Sequence, residues 1–292
     1  MTATGVIRFY VSLIKNLFSK PVVAIELTNR CNAHCTMCWR DEVKRKHTDI
    51  SFANFKTIVD KSIAQGVTKF QLSFFGESTL YHELAEAIAY IKSHPNTWVT
   101  INTNAAYLTP EMTHDVLDAG IDLVKVSVDG NNAEEYEQIR IGLKYDKVRD
   151  HVKYLHSAIE SGGHDCRIQI QGLHLEKFRI DEDVYTASWQ PYAHDVIVRE
   201  EHDLIAKRKE PLLHKLLPCP KITSQLIAMV DGNTSVCAYD WHGSTVTGNI
   251  LTDSFNKIHY GRKRLWFIAL HLMGLKRSID LCSTCSYQIY RY

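Results

Sequence analysis

Short β-rich runs alternate with helical patterns through the first two-thirds of the chain, and this alternation limits the possible folds more than any other feature. The six β-rich runs are Val22–Leu27, Lys69–Phe75, Trp98–Thr103, Leu123–Val128, Arg167–Gln171 and Asp195–Arg199. The helical patterns between them are Phe52–Gln65, His82–Ser93, Pro110–Ala119, Asp146–Ser161 and Asp181–Tyr192. Strands separated by helices predict a parallel sheet with right-handed crossovers.

Within each β-rich run, the side chains alternate between two faces of different character. One face carries apolar residues such as Val124 and Ile168, and the other carries polar residues such as Lys125 and Gln169. A doubly wound parallel sheet is apolar on both faces, and a complete eight-stranded barrel fills its interior with apolar side chains. We therefore expect an α/β fold with a partial (β/α)6 TIM-like barrel, whose polar inner face lines a ligand cavity. The alternative is a polar face that only meets solvent.

Composition adds several exclusions. The 292 residues include 34 lysines and arginines against 33 aspartates and glutamates, a net charge of +1. This balance gives no basic footprint for nucleic acid. No apolar run reaches the roughly 18 residues of a transmembrane helix.

Changes of pattern along the chain predict three segments. They are an N-terminal amphipathic helix over residues 1–20, a core over 21–205 and a smaller C-terminal domain over 206–292. The N-terminal helix is expected to pack on the core, with docking on a membrane surface or a partner as the alternative. In the C-terminal domain, the Asp231-Gly232 pair predicts a hairpin over residues 225–238, and one helical stretch is expected over Ser254–Arg277.

Eight cysteines occur without a secretory signal, which favours metal or redox chemistry in a reducing cytoplasm over disulfides. Cys31, Cys35 and Cys38 have the spacing C-x3-C-x2-C and directly follow the first strand, at the end where α/β barrels place their chemistry. Three thiolates can hold three corners of a cubane iron–sulfur cluster and leave one iron open. A structural zinc site is the alternative, although it normally needs four ligands.

This spacing and placement resemble the radical S-adenosylmethionine (radical SAM) superfamily, over about residues 20–203. The resemblance implies a [4Fe–4S] cluster on Cys31, Cys35 and Cys38, with SAM chelated at the open iron. It further implies cleavage of SAM by one electron to a 5′-deoxyadenosyl radical, which abstracts a hydrogen atom from the substrate. A flavodoxin or a ferredoxin is the expected type of electron donor.

The same resemblance suggests which residues contact SAM. Gly76 and Glu77 look like the family's G-G-E-P element, although Phe75 and Ser78 depart from that pattern. Ser127 and Arg140 resemble a pattern that holds the carboxylate of SAM, and an Arg–carboxylate pair suits that role. Polar residues at the ends or on the inner faces of other strands complete the expected SAM site; they are Asn102, Asn104 and Gln169.

Four further cysteines lie in the C-terminal domain: Cys219, Cys237, Cys282 and Cys285. Beside a radical SAM core, they resemble the short form of the SPASM region, the twitch domain, which carries one auxiliary [4Fe–4S] cluster. A zinc knuckle on the same four cysteines is the alternative.

The expected reaction is the oxidation of a hydroxyl-bearing carbon in a small molecule, a sugar or an aminocyclitol. An epimerase would need a thiol that donates hydrogen to the substrate, and the one unassigned cysteine, Cys166, is expected to be a buried residue at the far rim. The sequence also leaves open a peptide or protein maturase and a non-catalytic iron–sulfur scaffold. Residues expected near the substrate are His174, Glu176, Arg199 and Asp240.

Overall fold

The computed structural model describes residues 10–11, 13, 15–16, 19–200, 216–283 and 285, without the side chains of 41–42. These residues belong to two compact units. The first draws on residues 1–24, 57–69 and 202–292, and the second on 25–56 and 70–201. Most of the predicted helix over residues 1–20 lies outside the described residues. The predicted domain bounds, 21–205 and 206–292, stay a prediction.

Eleven strands and ten α-helices are used below, in chain order. The strands are β1 Val22–Ile25, β2 His34–Cys35, β3 Lys69–Gln71, β4 Trp98–Thr103, β5 Leu123–Ser127, β6 Arg140–Ile141, β7 Arg167–His174, β8 Asp195–Glu200, β9 Gln225–Ala228, β10 Asn233–Ser235 and β11 Val246–Asn249. The helices are α1 Phe52–Ile63, α2 Leu84–Lys92, α3 Pro110–Asp118, α4 Ala133–Ile139, α5 Tyr145–Gly162, α6 Glu182–Trp189, α7 Lys221–Ser224, α8 Phe255–His259, α9 Arg262–Leu272 and α10 Asp280–Ser283.

The second unit contains a parallel sheet in which β4, β5, β7 and β8 are successive neighbours. The register aligns four polar residues in one row: Asn102, Lys125, Gln169 and Asp195. The row beside it contains Ile101, Val124 and Ile168, which are fully buried. Because side chains alternate along a strand, one face of this sheet is apolar and the other polar. The structure therefore confirms the predicted α/β class.

Local sequence signals explain where the helices begin and end. The Thr109 hydroxyl accepts a hydrogen bond from the Met112 N–H at 3.3 Å, so it caps α3, whose first residue is Pro110. Asn132 caps α4 by accepting from the Glu135 N–H at 3.0 Å. Gly163 adopts a φ of +63° and ends α5, a conformation in which glycine is favoured.

The first unit contains the predicted hairpin, with shorter strands than expected. β10 pairs antiparallel with β9 and with β11, and Gly232 adopts a φ of +82° in the turn. The single helical stretch expected over Ser254–Arg277 is wrong, because the chain forms α8 and α9 with a break at Gly261. Gly261 is extended, and a Cβ there would lie 1.8 Å from the Lys257 carbonyl oxygen. Among the described residues, no helix is both long enough and apolar enough to cross a membrane.

Candidate functional site

The loop with Cys31, Cys35 and Cys38 follows β1. Cys31 and Cys35 are half-buried, Cys38 is exposed, and the Cys38 N–H donates to the Cys35 carbonyl at 2.9 Å. Burial raises the pKa of the Cys31 and Cys35 thiols, that of Cys31 to about 11. The free thiols are therefore protonated near neutral pH, and binding iron must displace their protons.

A chain of contacts joins this loop to the ends of two parallel strands. β2 pairs with β6, which aligns Cys35 with Arg140. The Arg140 guanidinium donates to the Asp129 carboxylate at 2.8 and 2.6 Å. The other Asp129 oxygen accepts from the Leu173 N–H at 2.8 Å. Arg140 Nη1 also lies 3.9 Å from the Cys35 sulfur, so one buried ion pair positions the cysteine loop.

Sequence reasoning missed the role of Asp129, which is fully buried and binds both Arg140 and β7. The signal that could have found it is a carboxylate directly after an apolar parallel strand. A buried carboxylate needs a charged partner or several hydrogen-bond donors. The predicted contact between Arg140 and SAM stays a prediction, and the structure adds an internal partner for this guanidinium.

Gly76 lies where the loop after β3 meets the backbone that leads into the cysteine loop. A Cβ at this position would be 2.3 Å from the Thr28 carbonyl oxygen and 2.6 Å from that of Arg30. The next residue, Glu77, donates its N–H to the Arg30 carbonyl at 2.8 Å. Close backbone contact therefore explains why glycine occupies this position.

The Glu77 carboxylate is buried and accepts four hydrogen bonds within the protein. Its donors are the N–H and hydroxyl of Thr79 at 3.1 and 2.7 Å, the Thr103 hydroxyl at 2.6 Å and the Asn104 N–H at 2.7 Å. The Asn104 amide in turn donates to Asn32 of the cysteine loop at 2.9 Å. Because a carboxylate offers about four acceptor positions, Glu77 has a positioning role here. Its contact with SAM stays a prediction.

Two polar atoms near the polar face are buried without a hydrogen-bond partner among the described residues: Asn102 Oδ1 and Ser73 Oγ. On the neighbouring strands, Ser127 is half-buried, and Gln169 accepts from the Gln171 amide at 2.8 Å. Buried polar atoms normally have partners. The unpartnered atoms therefore fit a face that binds a polar ligand such as SAM.

The predicted substrate residues divide into two groups. Arg199 and Glu176 are exposed, and Arg199 aligns with Leu173 near the carboxyl ends of β7 and β8. The expectation that His174 lies near the substrate stays a prediction. His174 has the same parity as Ile170 and lies on the buried face of β7. Its ring accepts from the Ile180 N–H at 3.2 Å and lies 3.0 Å from Glu182.

Asp240 has a structural role, and its predicted place near the substrate stays a prediction. It is 1% exposed, and its carboxylate accepts from the hydroxyls of Ser235, Ser244 and Thr245 and from two backbone N–H groups, at 2.6 to 2.7 Å. Burial opposes ionisation, but these hydrogen bonds outweigh it and lower the pKa of Asp240. The carboxylate thereby fixes the loop that follows Cys237.

The four remaining predicted ligands line one cavity of the first unit: Cys219, Cys237, Cys282 and Cys285. Burial raises the pKa of Cys219 and Cys237, and that of Cys282 to about 12. Nowhere in the described ranges do three His, Cys, Asp or Glu side chains converge as a single metal ion requires. The auxiliary cluster on these four cysteines and the alternative of a zinc ion both stay predictions.

His271, near the end of α9, also lines this cavity and was missed by sequence reasoning. It is 1% exposed, and its Nδ1 accepts from the Cys219 N–H at 3.0 Å. Its Nε2 lies 3.6 Å from the Cys282 sulfur. Burial, with the charge of Lys276, lowers the pKa of His271 to about 4, so the ring is neutral. A lone histidine in a helical pattern gives no sequence signal for this position.

Residues 25–178, more than half of the chain, match the model of the radical SAM superfamily, and the chain belongs to this superfamily. It is therefore a radical SAM enzyme, and membership implies a [4Fe–4S] cluster and SAM as cofactors.

Individual relatives differ in their roles. The chain is 32% identical over 139 residues to a probable GTP 3′,8-cyclase of Methanococcus maripaludis. This alignment covers 47% of the present chain and 45% of the cyclase. It is 27% identical over 157 residues to the mycofactocin maturase MftC of Mycolicibacterium smegmatis. This alignment covers 54% of the present chain and 39% of MftC. The match thus spans less than half the length of these curated relatives.

A solved structure matches nearly the whole chain. The crystal structure of BtrN in complex with AdoMet and 2-DOIA aligns with a TM-score of 0.65. The alignment covers 94% of this chain and 98% of BtrN, at 18% identity. At this identity the likeness concerns the fold alone.

Proposed function

We propose that this protein is a radical SAM oxidoreductase that oxidises a hydroxyl-bearing carbon of a small molecule, such as a sugar or an aminocyclitol. Cys31, Cys35 and Cys38 would hold the SAM-binding cluster. The four cysteines of the first unit, Cys219, Cys237, Cys282 and Cys285, would hold an auxiliary [4Fe–4S] cluster. When bound, SAM and the two clusters would supply the radical that removes a hydrogen atom and an acceptor for one electron.

The residues on the polar face would bind and orient the cofactor. Asn102 and Ser127 would contact SAM directly, because the Asn102 oxygen lacks a partner among the described residues. Glu77 and Asp129 would act through their neighbours, by fixing Asn104 and Arg140 beside the cysteine loop. The glycine before Glu77 would keep the backbone close enough for this arrangement.

The burial and position of Cys166 favour oxidation over epimerisation. The side chain is 3% exposed, and burial raises the pKa of its thiol to about 12. Cys166 directly precedes β7. Leu173, seven residues later at the other end of this strand, donates its N–H to Asp129. At about 3.3 Å per residue this separation is about 23 Å. A thiol so placed does not donate hydrogen at the cysteine loop, and the other seven cysteines are assigned as ligands.

Conversion of a CH–OH carbon to a carbonyl removes two electrons and two protons. One electron and one proton leave together as the hydrogen atom, and a base must take the second proton. Glu176 and Arg199 are the candidates to contact the substrate, since both are exposed near the carboxyl ends of β7 and β8. The Glu176 carboxylate is the group able to accept the proton.

A second candidate function is the modification of a peptide, favoured by the match to a mycofactocin maturase over 157 residues. A peptide substrate requires a longer binding surface than a sugar. Screening both substrate classes therefore separates the two proposals.

The test is anaerobic reconstitution with iron counting, followed by screening of sugars, aminocyclitols and peptides. We expect about eight irons per chain and a small-molecule product that has lost two hydrogen atoms, formed one-for-one with 5′-deoxyadenosine. Cys166→Ala should retain this activity. A product that has the mass of the substrate when formed in H2O and gains one deuterium when formed in D2O, together with an inactive Cys166→Ala, would establish an epimerase instead.

A further inference from the structure

His271 connects two of the four cysteines of the first unit. Its ring accepts from the backbone of Cys219 at 3.0 Å on one side and faces the Cys282 sulfur at 3.6 Å on the other. The ring is almost completely buried and lines the same cavity as the thiols. It is therefore held in place on both sides.

The hydrogen bond to Cys219 determines which ring nitrogen carries the proton. A backbone N–H can only donate, so Nδ1 must present its lone pair to Cys219. In a neutral imidazole the proton then belongs to Nε2, the nitrogen that faces the Cys282 sulfur. The contact at 3.6 Å is therefore an N–H···S hydrogen bond from His271 to Cys282.

The same assignment excludes His271 as a fifth ligand. Iron or zinc on Nε2 would displace its proton to Nδ1, where it would meet the Cys219 N–H at 3.0 Å. Two donors facing each other in a buried site would lose a hydrogen bond and leave polar groups unsatisfied. The ring is thus suited to donate to a ligand sulfur and not to bind metal.

We propose that His271 is a positioning residue of the four-cysteine site, which sets the reduction potential of the auxiliary cluster through its N–H···S bond to Cys282. This inference rests on the proposed auxiliary cluster. Hydrogen bonds to cluster sulfurs help set the potential of iron–sulfur clusters. A donor stabilises the extra negative charge of the reduced state, so its loss should make the potential more negative.

Two substitutions test the two hydrogen bonds of the ring separately. In His271→Asn, the amide oxygen can occupy the place of Nδ1, but the side chain is too short to reach Cys282. In His271→Gln, the amide nitrogen can occupy the place of Nε2 and donate to the sulfur. Both are made in the full chain with Cys31, Cys35 and Cys38 changed to Ala, so that only the auxiliary site loads iron.

The main readouts are the iron content and the midpoint potential from an EPR-monitored redox titration. We expect about four irons in each protein. The His271→Asn protein should be about tenfold harder to reduce, which is 59 mV for one electron, and the His271→Gln protein should lie closer to the parent. An unchanged potential in His271→Asn overturns the proposal. If the parent with His271 intact binds no iron, the auxiliary cluster itself fails, which is a separate result.

A measurement on the parent protein tests the proposal even if the two His271 variants do not bind iron. With 15N-labelled histidine, pulsed EPR of the reduced cluster should detect a weak nitrogen coupling and an exchangeable proton. A strong coupling, typical of a nitrogen ligand, or the absence of any coupling would each overturn the proposal.

Discussion

The three-cysteine loop and the four-cysteine cavity place similar ligands in different electrostatic surroundings. Around the first, two acidic side chains, Glu77 and Asp129, and the basic Arg140 are buried close to thiols of which one is exposed. Around the second, the thiols share a cavity with neutral His271 and with two lysines, and no carboxylate among the described residues lines it. The first surroundings suit a charged, exchangeable ligand such as SAM, and the second differ from them as the proposed auxiliary cluster would require.

The two sites are also held together differently. The loop with Cys35 depends on β6, more than a hundred residues away, through a strand pair and a buried ion pair. The loop after Cys237 depends on Asp240, whose donors all lie within five residues of it. Damage to the first site should therefore spread through its unit, while damage to the second loop should stay local.

The largest expected effect comes from removing each set of cysteines in turn. Changing Cys31, Cys35 and Cys38 to Ala should abolish SAM cleavage and leave about four irons per chain. Changing the four cysteines of the first unit to Ala should also leave about four irons but retain SAM cleavage after chemical reduction. Iron analysis and 5′-deoxyadenosine assays measure both. Equal loss of cleavage in the two proteins would contradict the division of roles.

The ion pair at the first site should give the next largest effect. Arg140→Ala leaves the Asp129 charge buried without its partner, which typically costs about 3–5 kcal/mol of unfolding free energy. Loss of one charge-assisted contact to SAM would lower affinity by roughly ten- to hundred-fold. Urea unfolding and SAM binding measure the two effects.

A matched control is Arg167→Ala, since Arg167 pairs with Asp195 at 3.2 Å on the surface. Its expected cost is about 0–1 kcal/mol. An Arg140→Ala protein that is destabilised but binds SAM normally would remove the predicted carboxylate contact and leave Arg140 with its internal role alone.

Gly76→Ala tests the close contact between two loops of the second unit. The added methyl group would clash with carbonyl oxygens at 2.3 and 2.6 Å, so the loops must separate. Overpacking of this kind typically costs about 1–3 kcal/mol, and SAM binding should weaken with it. Gly163→Ala is the control: it adds a methyl group with nothing within 4 Å, at a glycine with a φ of +63°. Equal loss of SAM binding in the two proteins would contradict a role for the close contact at Gly76.

The smallest expected effect concerns pH and Asp240. Its pKa is lowered in the folded protein from the ordinary value of 3.8, so its contribution to stability is present above that value. The contribution is lost as the pH falls through the lower, folded pKa. The stability difference between the wild type and Asp240→Asn should therefore be constant from about pH 5 to 7 and shrink below about pH 4. Asp115→Asn, on the exposed side of α3, is the matched control for the same chemical change in these urea titrations.

The contrast between the sites also separates what the sequence could predict from what it could not. Period-two alternation predicted both faces of β4, β5 and β7, because burial on one face leaves a regular pattern. The same rule, extended to the end of β7, would have placed His174 on the packed face. The helical pattern is interrupted at Gly261, where a Cβ would lie 1.8 Å from the Lys257 carbonyl oxygen. Helix propensities do not describe this close approach.

Three-dimensional partners account for the remaining differences. Glu77, Asp240 and His271 look like free functional groups in sequence, yet each is bound by donors or acceptors from its surroundings. For Asp240 those partners are local serines and threonines. For His271 one partner is the backbone of a cysteine 52 positions away, which no local pattern reveals.

The pairing of Cys35 with Arg140 has a consequence for biosynthesis. The two residues are 105 positions apart, and synthesis at about 5–20 residues per second places roughly 5–20 s between them. During that interval the three thiols are on a nascent chain whose partner strand does not yet exist. Iron delivered then would meet an open loop, whereas iron delivered later would meet one already paired. The distance between these two residues along the chain thus sets the shortest delay between synthesis of the thiols and completion of their loop.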